Sequence, residues 1–349
     1  MSLISRQGGA AGRPGHRRRL RPLDAQVAVV TGASRGIGRE VAVRLAARGA
    51  RVVALARDEV GLAETLRRIE EAGGTARSLV VDVTDADAMR TAVAQVEEWF
   101  GRIDTWVGNA GVLLYASFEA TRPEEFRDVL EVNVLGQIHG IQAALPALRR
   151  AGGGALIVVS SVEAAVALPL HSAYAASKHA LEGALDGLRR ELGDDHARIS
   201  ITSVRPAVID TPIYRHARNR MPWVPKAPPP YYASAVVADA VEFAATHPVR
   251  IIHAGGGGRM LVALQRIAPG AVDAVLRRLG PGIMHTDEPD HSGGGDLRNT
   301  RGDDGVDGGL PRPGRRVSVY TWLATHPRSR RSLQAASMFA TAALLRRHR

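Results

Sequence analysis

Two spacings of apolar residues alternate along this chain, and together they predict its architecture. A β-branched run at 27–30 reads as a buried strand, and an apolar helical pattern then runs to Arg48, where Gly49 ends it. Further extended runs lie at 51–56, 76–81, 103–108, 155–160, 199–204 and 249–253. Helical spacing fills 59–72, 85–100, 123–150, 172–192 and 233–246. Strand and helix in this alternation predict an α/β fold, a doubly wound parallel sheet of about seven strands flanked by helices. Past residue 255 the pattern changes. The glycine run 255–258 reads as a turn into helical stretches at 260–266 and 271–279, and 285–309 is rich in Gly, Asp and Ser.

The first strand passes at once into Thr31-Gly32-Ala33-Ser34-Arg35-Gly36-Ile37-Gly38. Strand, glycine-rich turn and helix are the parts of a Rossmann-type dinucleotide site. The glycines admit a pyrophosphate to the backbone, and the helix start offers free N–H groups and a positive dipole end. Asn109-Ala110-Gly111 follows the fourth strand, at the sheet edge where such folds bind ligands.

Tyr174 and Lys178 stand four residues apart in the stretch 172–192, on one helical face. An ammonium beside a phenol favours the phenolate; lowering its pKa from near 10 to about 7 takes roughly 4 kcal/mol. On its own the pair is better explained by a solvated helix face. Composition argues for chemistry: of 46 basic residues only Lys178 and Lys226 are lysines, so lysine stands here in a chain that otherwise writes arginine. A compact ammonium does what a planar guanidinium cannot.

Taken together these residues resemble the short-chain dehydrogenase/reductase family over about residues 24–255. The turn 31–38, the acid Asp82 after the third strand, Asn109 to Gly111, and the set Asn133, Ser161, Tyr174 and Lys178 follow the family's order and spacing. The resemblance implies hydride transfer between a nicotinamide and a carbonyl carbon. Tyr174 is then the general acid/base, and Ser161 polarises the same oxygen. Lys178 tunes Tyr174 and holds the ribose, and Asn133 seats a water leading from Lys178. It implies cofactor binding by Gly32, Ser34, Arg35, Gly36, Ile37, Gly38, Arg57, Asp82, Val83, Asn109, Ala110, Gly111, Tyr174, Lys178, Pro206, Ile209 and Thr211. Gly108 and Ala207 depart from the family, which has Asn and Gly there. Glu163, close after Ser161, reads either as an exposed carboxylate or as one facing the substrate. NADP(H) is the expected cofactor. The second strand ends in Ala56 where an NAD site has an acid, Arg57 follows, and Arg35 lies in the turn. A non-catalytic NADP-binding scaffold or redox-sensing regulator on the same fold remains the alternative.

The Pro-rich stretch 212–230, with Tyr214, Met221 and Trp223, is expected to close over a lipophilic substrate or to pack on itself; Leu113, Leu114 and Tyr115 offer another wall. The net charge of +11 belongs to the ends: residues 1–22 carry six arginines and 311–349 nine, with no acid in either. The remainder is about −4, so no nucleic-acid partner is expected. With no cysteine, thiol and disulfide chemistry are excluded, which suits a reducing, cytoplasmic setting. The expected organisation is a disordered basic tail (1–23), the catalytic domain (24–255), a helical extension (256–284), a flexible linker (285–316) and a basic helical segment (317–349). Within the last, 332–345 is apolar and flanked by arginines, fit for peripheral membrane contact or for packing. Small residues at 173, 176, 180, 183, 184 and 187 permit close helix approach, and with the family resemblance predict a homodimer or homotetramer.

Overall fold

The computed structural model describes residues 20–194, 198–290, 297, 305–310, 312–329 and 332. Its sheet contains β1 (Val27–Thr31), β2 (Arg51–Ala56), β3 (Thr75–Val80), β4 (Thr105–Gly108), β5 (Gly154–Val159), β6 (Ile199–Pro206) and β7 (Ile251–Ala254). The strands are all parallel in the order β7-β6-β5-β4-β1-β2-β3. Helices cover both faces, so β1, β4 and β5 are buried along their whole length. That explains their continuous apolar runs in place of alternation.

On one face, α1 (Gly36–Ala47), α2 (Glu59–Glu71) and α7 (Ser234–Thr246) pack Val41, Leu45, Leu62, Ile69 and Val237 against the strands. On the other, α3 (Ala86–Phe100), α5 (Gly136–Arg150) and α6 (Ser172–Asp194) contribute Met89, Val93, Ile141, Leu148, Leu181 and Leu185 around the buried Trp106. From β1 the chain winds outward to β2 and β3, then returns to β4 and proceeds the other way. The sheet's switch point therefore lies between β1 and β4, where a crevice opens at the strands' carboxyl ends.

The expected long helix at 123–150 is α4 (Pro123–Leu130) running into α5 through a π-turn, Glu131–Leu135. The extra residue in that turn accompanies the inward placement of Asn133, which is fully buried.

The extension begins with α8 (Gly256–Ile267) and α9 (Pro269–Met284). Of the glycine run expected to turn from strand to helix, Gly255 makes the turn at φ 112° and Gly256 to Gly258 open α8. The run's N–H groups are taken by side chains: Gly255 N by Thr321 Oγ1 at 2.9 Å, Gly256 N by Ser318 Oγ at 3.2 Å and Gly257 N by Tyr232 Oη at 3.1 Å.

In place of a free linker at 285–316, the described parts are fastened to the body. Gly36 N donates to Gly305 O at 3.0 Å, and Gly308 N and Leu310 N donate to Asp210 Oδ1 at 2.9 and 3.3 Å. A Cβ at Gly308 would stand 2.3 Å from the Thr211 carbonyl oxygen, so glycine allows the close approach that composition read as looseness. A last helix, α10 (Val319–Thr325), docks beside β7. The tail 1–19 and the apolar stretch 332–345, apart from Ser332, lie outside the described residues.

Candidate active site

The crevice at the switch point is a cavity of about 270 Å3. Its floor is the glycine-rich turn. Gly32 adopts φ 64°, and a Cβ there would meet Ala110 Cα at 2.8 Å; one on Gly38 would stand 2.1 Å from Gly32 O. Only glycine lets α1 start this close to the ends of β1 and β4. Asn109 ties the three together. Its Nδ2 donates to Thr31 O (3.1 Å) and Gly32 O (3.2 Å), and its backbone N donates to Thr31 Oγ1 at 2.9 Å.

Of the residues expected at the cofactor, Gly32, Ser34, Arg35, Gly36 and Ile37 line one end, with Arg57, Asp82 and Val83 beside them. Asn109, Ala110, Gly111, Pro206, Ile209 and Thr211 line the middle, and Ser161, Tyr174 and Lys178 the other end. Two expected residues do not reach the cavity surface. Gly38 serves the helix–turn contact just described. Asn133 sits behind Gly111, its Oδ1 accepting from Val112 N at 2.8 Å and its Nδ2 donating to Val112 O and Ser177 Oγ.

Tyr174 and Lys178 project from the start of α6, and Ser161 stands just beyond β5. Tyr174 and Ser161 line the same part of the cavity wall, where the Ser161 hydroxyl favours the phenolate. Ser161 Oγ accepts from Glu163 N at 3.0 Å, which fixes the hydroxyl's position. Lys178 Nζ donates to Val159 O at 3.3 Å and lies 5.4 Å from the Tyr174 ring centre. Burial lowers the Lys178 pKa to about 8, against the opposing pull of Glu182 and Glu163.

The phenol does not behave as the Tyr–Lys spacing alone predicts. Burial first, and then the Glu163 carboxylate, raise the Tyr174 pKa, and the Ser161 hydroxyl only partly offsets them. The helix spacing placed the ammonium correctly but carried no information about the carboxylate that faces the ring from the neighbouring loop.

That carboxylate settles the two readings of Glu163 in favour of the cavity. It is buried, lines the same space, and its Oε1 is 2.9 Å from His171 Nδ1. His171, which sequence reasoning passed over, packs edge-on to Tyr115 at 4.6 Å between ring centres. Leu113 reaches the cavity, while Leu114 and Tyr115 are buried outside its lining. Tyr214 also lines it, whereas Trp223 turns away to His285, 4.4 Å between ring centres.

Both departures from the family pattern are absorbed locally. Gln137, from α5, fills the place of a side chain at Gly108: a Cβ there would lie 2.2 Å from Gln137 Oε1, and Gln137 Nε2 donates to Ala110 O at 2.6 Å. The missing amide is thus supplied from a helix 29 residues on, as the numbering gives it. The Ala207 methyl packs against Gly255 and Gly258 at the start of α8.

At the opposite end, Asp58 caps α2 by accepting from Gly61 N at 3.0 Å, and its other oxygen takes Arg35 at 2.5 Å. Arg57 pairs with Asp82 at 3.3 Å, and Arg35 also contacts His216 at 2.9 Å. Burial opposes charge on Asp82, but the Thr84 amide and hydroxyl together with Arg57 outweigh it and hold the carboxyl below its usual range. The described residues hold no cluster of three or more metal-ligating side chains.

Comparison with known proteins gives a family match over residues 26–222, to the description "short chain dehydrogenase". An uncharacterized oxidoreductase of Bacillus subtilis, YxnA, is 33% identical over 276 residues, 78% of this chain and 77% of that protein. A short chain dehydrogenase from Mycobacterium paratuberculosis, solved bound to NAD, is 31% identical with a TM-score of 0.59, covering 66% of this chain and 97% of its own. An alcohol dehydrogenase from the archaeon Thermococcus sibiricus, solved with 5-hydroxy-NADP, is 28% identical with a TM-score of 0.57, covering 65% and 95%.

Removing the Asn109 amide leaves the Thr31 and Gly32 carbonyls short of a donor. Asn109→Ala is therefore expected to lower the unfolding free energy by about 1–2 kcal/mol, read from the denaturant midpoint. An unchanged midpoint would mean that the amide does not hold the turn.

Proposed function

This chain belongs to the short-chain dehydrogenase family, and from that premise we propose that it is an NADP(H)-dependent oxidoreductase interconverting a carbonyl and an alcohol, on CH–OH donors of lipophilic character. One observation carries the reading. Ser161, Tyr174 and Lys178 line the same cavity into which the glycine-rich turn opens.

The glycine cradle at Gly32 and Gly38 fits a dinucleotide, because no Cβ obstructs the approach of a pyrophosphate to the start of α1. A nicotinamide, when bound, supplies or accepts the hydride. The protein's own part is proton transfer and positioning. The phenol of Tyr174, held protonated at neutral pH by burial and Glu163, suits donation to a developing alkoxide. Ser161 holds the same oxygen by hydrogen bonding. Lys178, in the same cavity, would hold the ribose hydroxyls of the bound cofactor. Leu113, Leu168, Ile213 and Tyr214 give the substrate end its apolar lining, which supports a lipophilic substrate.

NADP(H) is favoured over NAD(H) by the acids at the adenosine end. Ala56 offers no carboxylate to the ribose, and Asp58, nearby, is already engaged by the α2 cap and Arg35. Arg35 and Arg57 flank that end of the cavity, where a 2′-phosphate would meet their guanidinium groups. Self-association through α6 is part of the proposal: Ala180, Gly183 and Ala184 are exposed along it, and a Cβ at Gly183 or Gly187 would meet nothing within 4 Å.

Tyr174→Phe is expected to reduce turnover of a responsive carbonyl by roughly 10²–10⁴-fold while NADPH affinity stays within a few-fold. Lys178→Arg should fail as well, because the guanidinium cannot reproduce the compact contacts. Full activity in both variants would refute the mechanism.

The pH dependence follows from Lys178. Its ammonium is present below about 8 and lost above, whereas the Tyr174 phenol keeps its proton through that range. For carbonyl reduction, kcat/KM should be level below pH 8 and fall as the pH rises past it. A profile that stays level two pH units higher would remove Lys178 from this role.

Arg57→Asp is expected to weaken NADPH binding at least roughly tenfold more than NADH binding, measured as dissociation constants by titration. Equal or tighter NADH binding by the unaltered protein would reverse the cofactor assignment.

A further inference from the structure

The outer side of the α8–α9 hairpin exposes large apolar side chains that nothing among the described residues covers. Met260, Leu264 and Ile267 form one row on α8, with Met260 63% and Ile267 82% exposed. Val275, Leu279 and Ile283 form a row on α9 along the edge of the face that buries Val272, 55%, 51% and 38% exposed. These are helices of the extension, and the mechanism above uses none of these six residues.

The inner side of the same hairpin backs the site's wall without lining the cavity itself. Val262 and Val272 pack with Val162 and Val166, next to Ser161 and Glu163. Met284, at the end of α9, packs with Leu113 and Tyr115 against Tyr174. The hairpin thus separates the substrate end of the cavity from whatever meets its outer face.

Charge indicates what that is. Residues 256–284 contain Arg259, Arg266, Arg277 and Arg278 against the single acid Asp273. Arg266, Arg277 and Arg278 are exposed. Apolar rows bordered by arginines match an anionic lipid surface, with side chains in the acyl boundary and guanidinium groups on phosphates. Two copies of this face would instead bring like charges together. No helix among the described residues is long and apolar enough to cross a membrane, so the hairpin would lie in the interfacial plane.

We propose that the outer face of α8 and α9 seats on an anionic membrane surface, so that a lipophilic carbonyl substrate passes between the bilayer and the cavity behind the hairpin. This rests on the lipophilic-substrate reading above and names the place from which such a substrate comes.

The test is flotation of the full chain with phosphatidylcholine vesicles, with and without about one-third phosphatidylglycerol. The expected result is binding to the anionic vesicles at least roughly tenfold above neutral ones, weakened by salt. The double variant Leu264→Glu/Ile267→Glu should lose at least roughly tenfold of it, with an unchanged circular dichroism spectrum, while leaving 332–345 intact. Arg277→Gln/Arg278→Gln should lose the anionic preference. Absence of binding by the unaltered chain, or full binding by the Glu variant, overturns the proposal. So does a dimer, seen by light scattering, that the Glu variant dissolves without any vesicle binding; the face is then a contact between copies. Flotation needs neither cofactor nor turnover. Reduction of a water-soluble ketone, assayed separately, distinguishes failure of this proposal from failure of the oxidoreductase reading.

Discussion

The closeness with which α1 begins over the ends of β1 and β4 is the constraint on which the site depends. A Cβ at Gly38 would stand 2.1 Å from the Gly32 carbonyl oxygen, and one at Gly32 would stand 2.8 Å from Ala110 Cα. These contacts leave no glycine side chain between the helix start and the crevice, and the Gly36 N–H there is taken by the Gly305 carbonyl. Asn109 locks the arrangement by bonding Thr31 and Gly32. Every other element at the site is placed relative to this corner. Sheet order puts β5, and hence Ser161, beside β4, and α6 brings Tyr174 and Lys178 up to it.

Electrostatics at the far end of the cavity decides which of its groups hold their protons. Lys178 is buried and Tyr174 half-buried in the cavity wall, and desolvation penalises charge on either. Glu163 reinforces the penalty for a phenolate and opposes it for the ammonium. The outcome is a phenol held protonated beside a lysine whose pKa burial lowers to about 8. At the adenosine end, carboxylates and arginines are matched in pairs, Arg35 with Asp58 and Arg57 with Asp82. That pairing leaves the acid near β2 already engaged.

Much of this was legible before any coordinates. Strands buried on both faces declare themselves as apolar runs, and the turn at 31–38 has its strand and helix on either side. The helical spacing of Tyr174 and Lys178 is local, so sequence sees it. What sequence missed is non-local. Gln137 restores from α5 the amide absent at Gly108, a substitution visible only once the helix is laid against the strand. The Glu163–His171 pair depends on a loop returning over the cavity, and its carboxylate adds to the burial that raises the Tyr174 pKa. The glycines at 305 and 308 read as a flexible linker, yet Gly308 is there because the chain passes against Thr211. Composition reports conformational freedom and close packing with the same residue.

The central claim, hydride transfer from a nicotinamide seated beside Ser161 and Tyr174, is tested most directly by isotope tracing. NADPH deuterated at the transferred position would be incubated with the protein and a set of lipophilic ketones and aldehydes, and the alcohols analysed by mass spectrometry. The account predicts deuterium on the carbinol carbon, in proportion to the cofactor oxidised. Cofactor oxidation without deuterium in the product, or cofactor that binds and is never oxidised by any carbonyl, would contradict it.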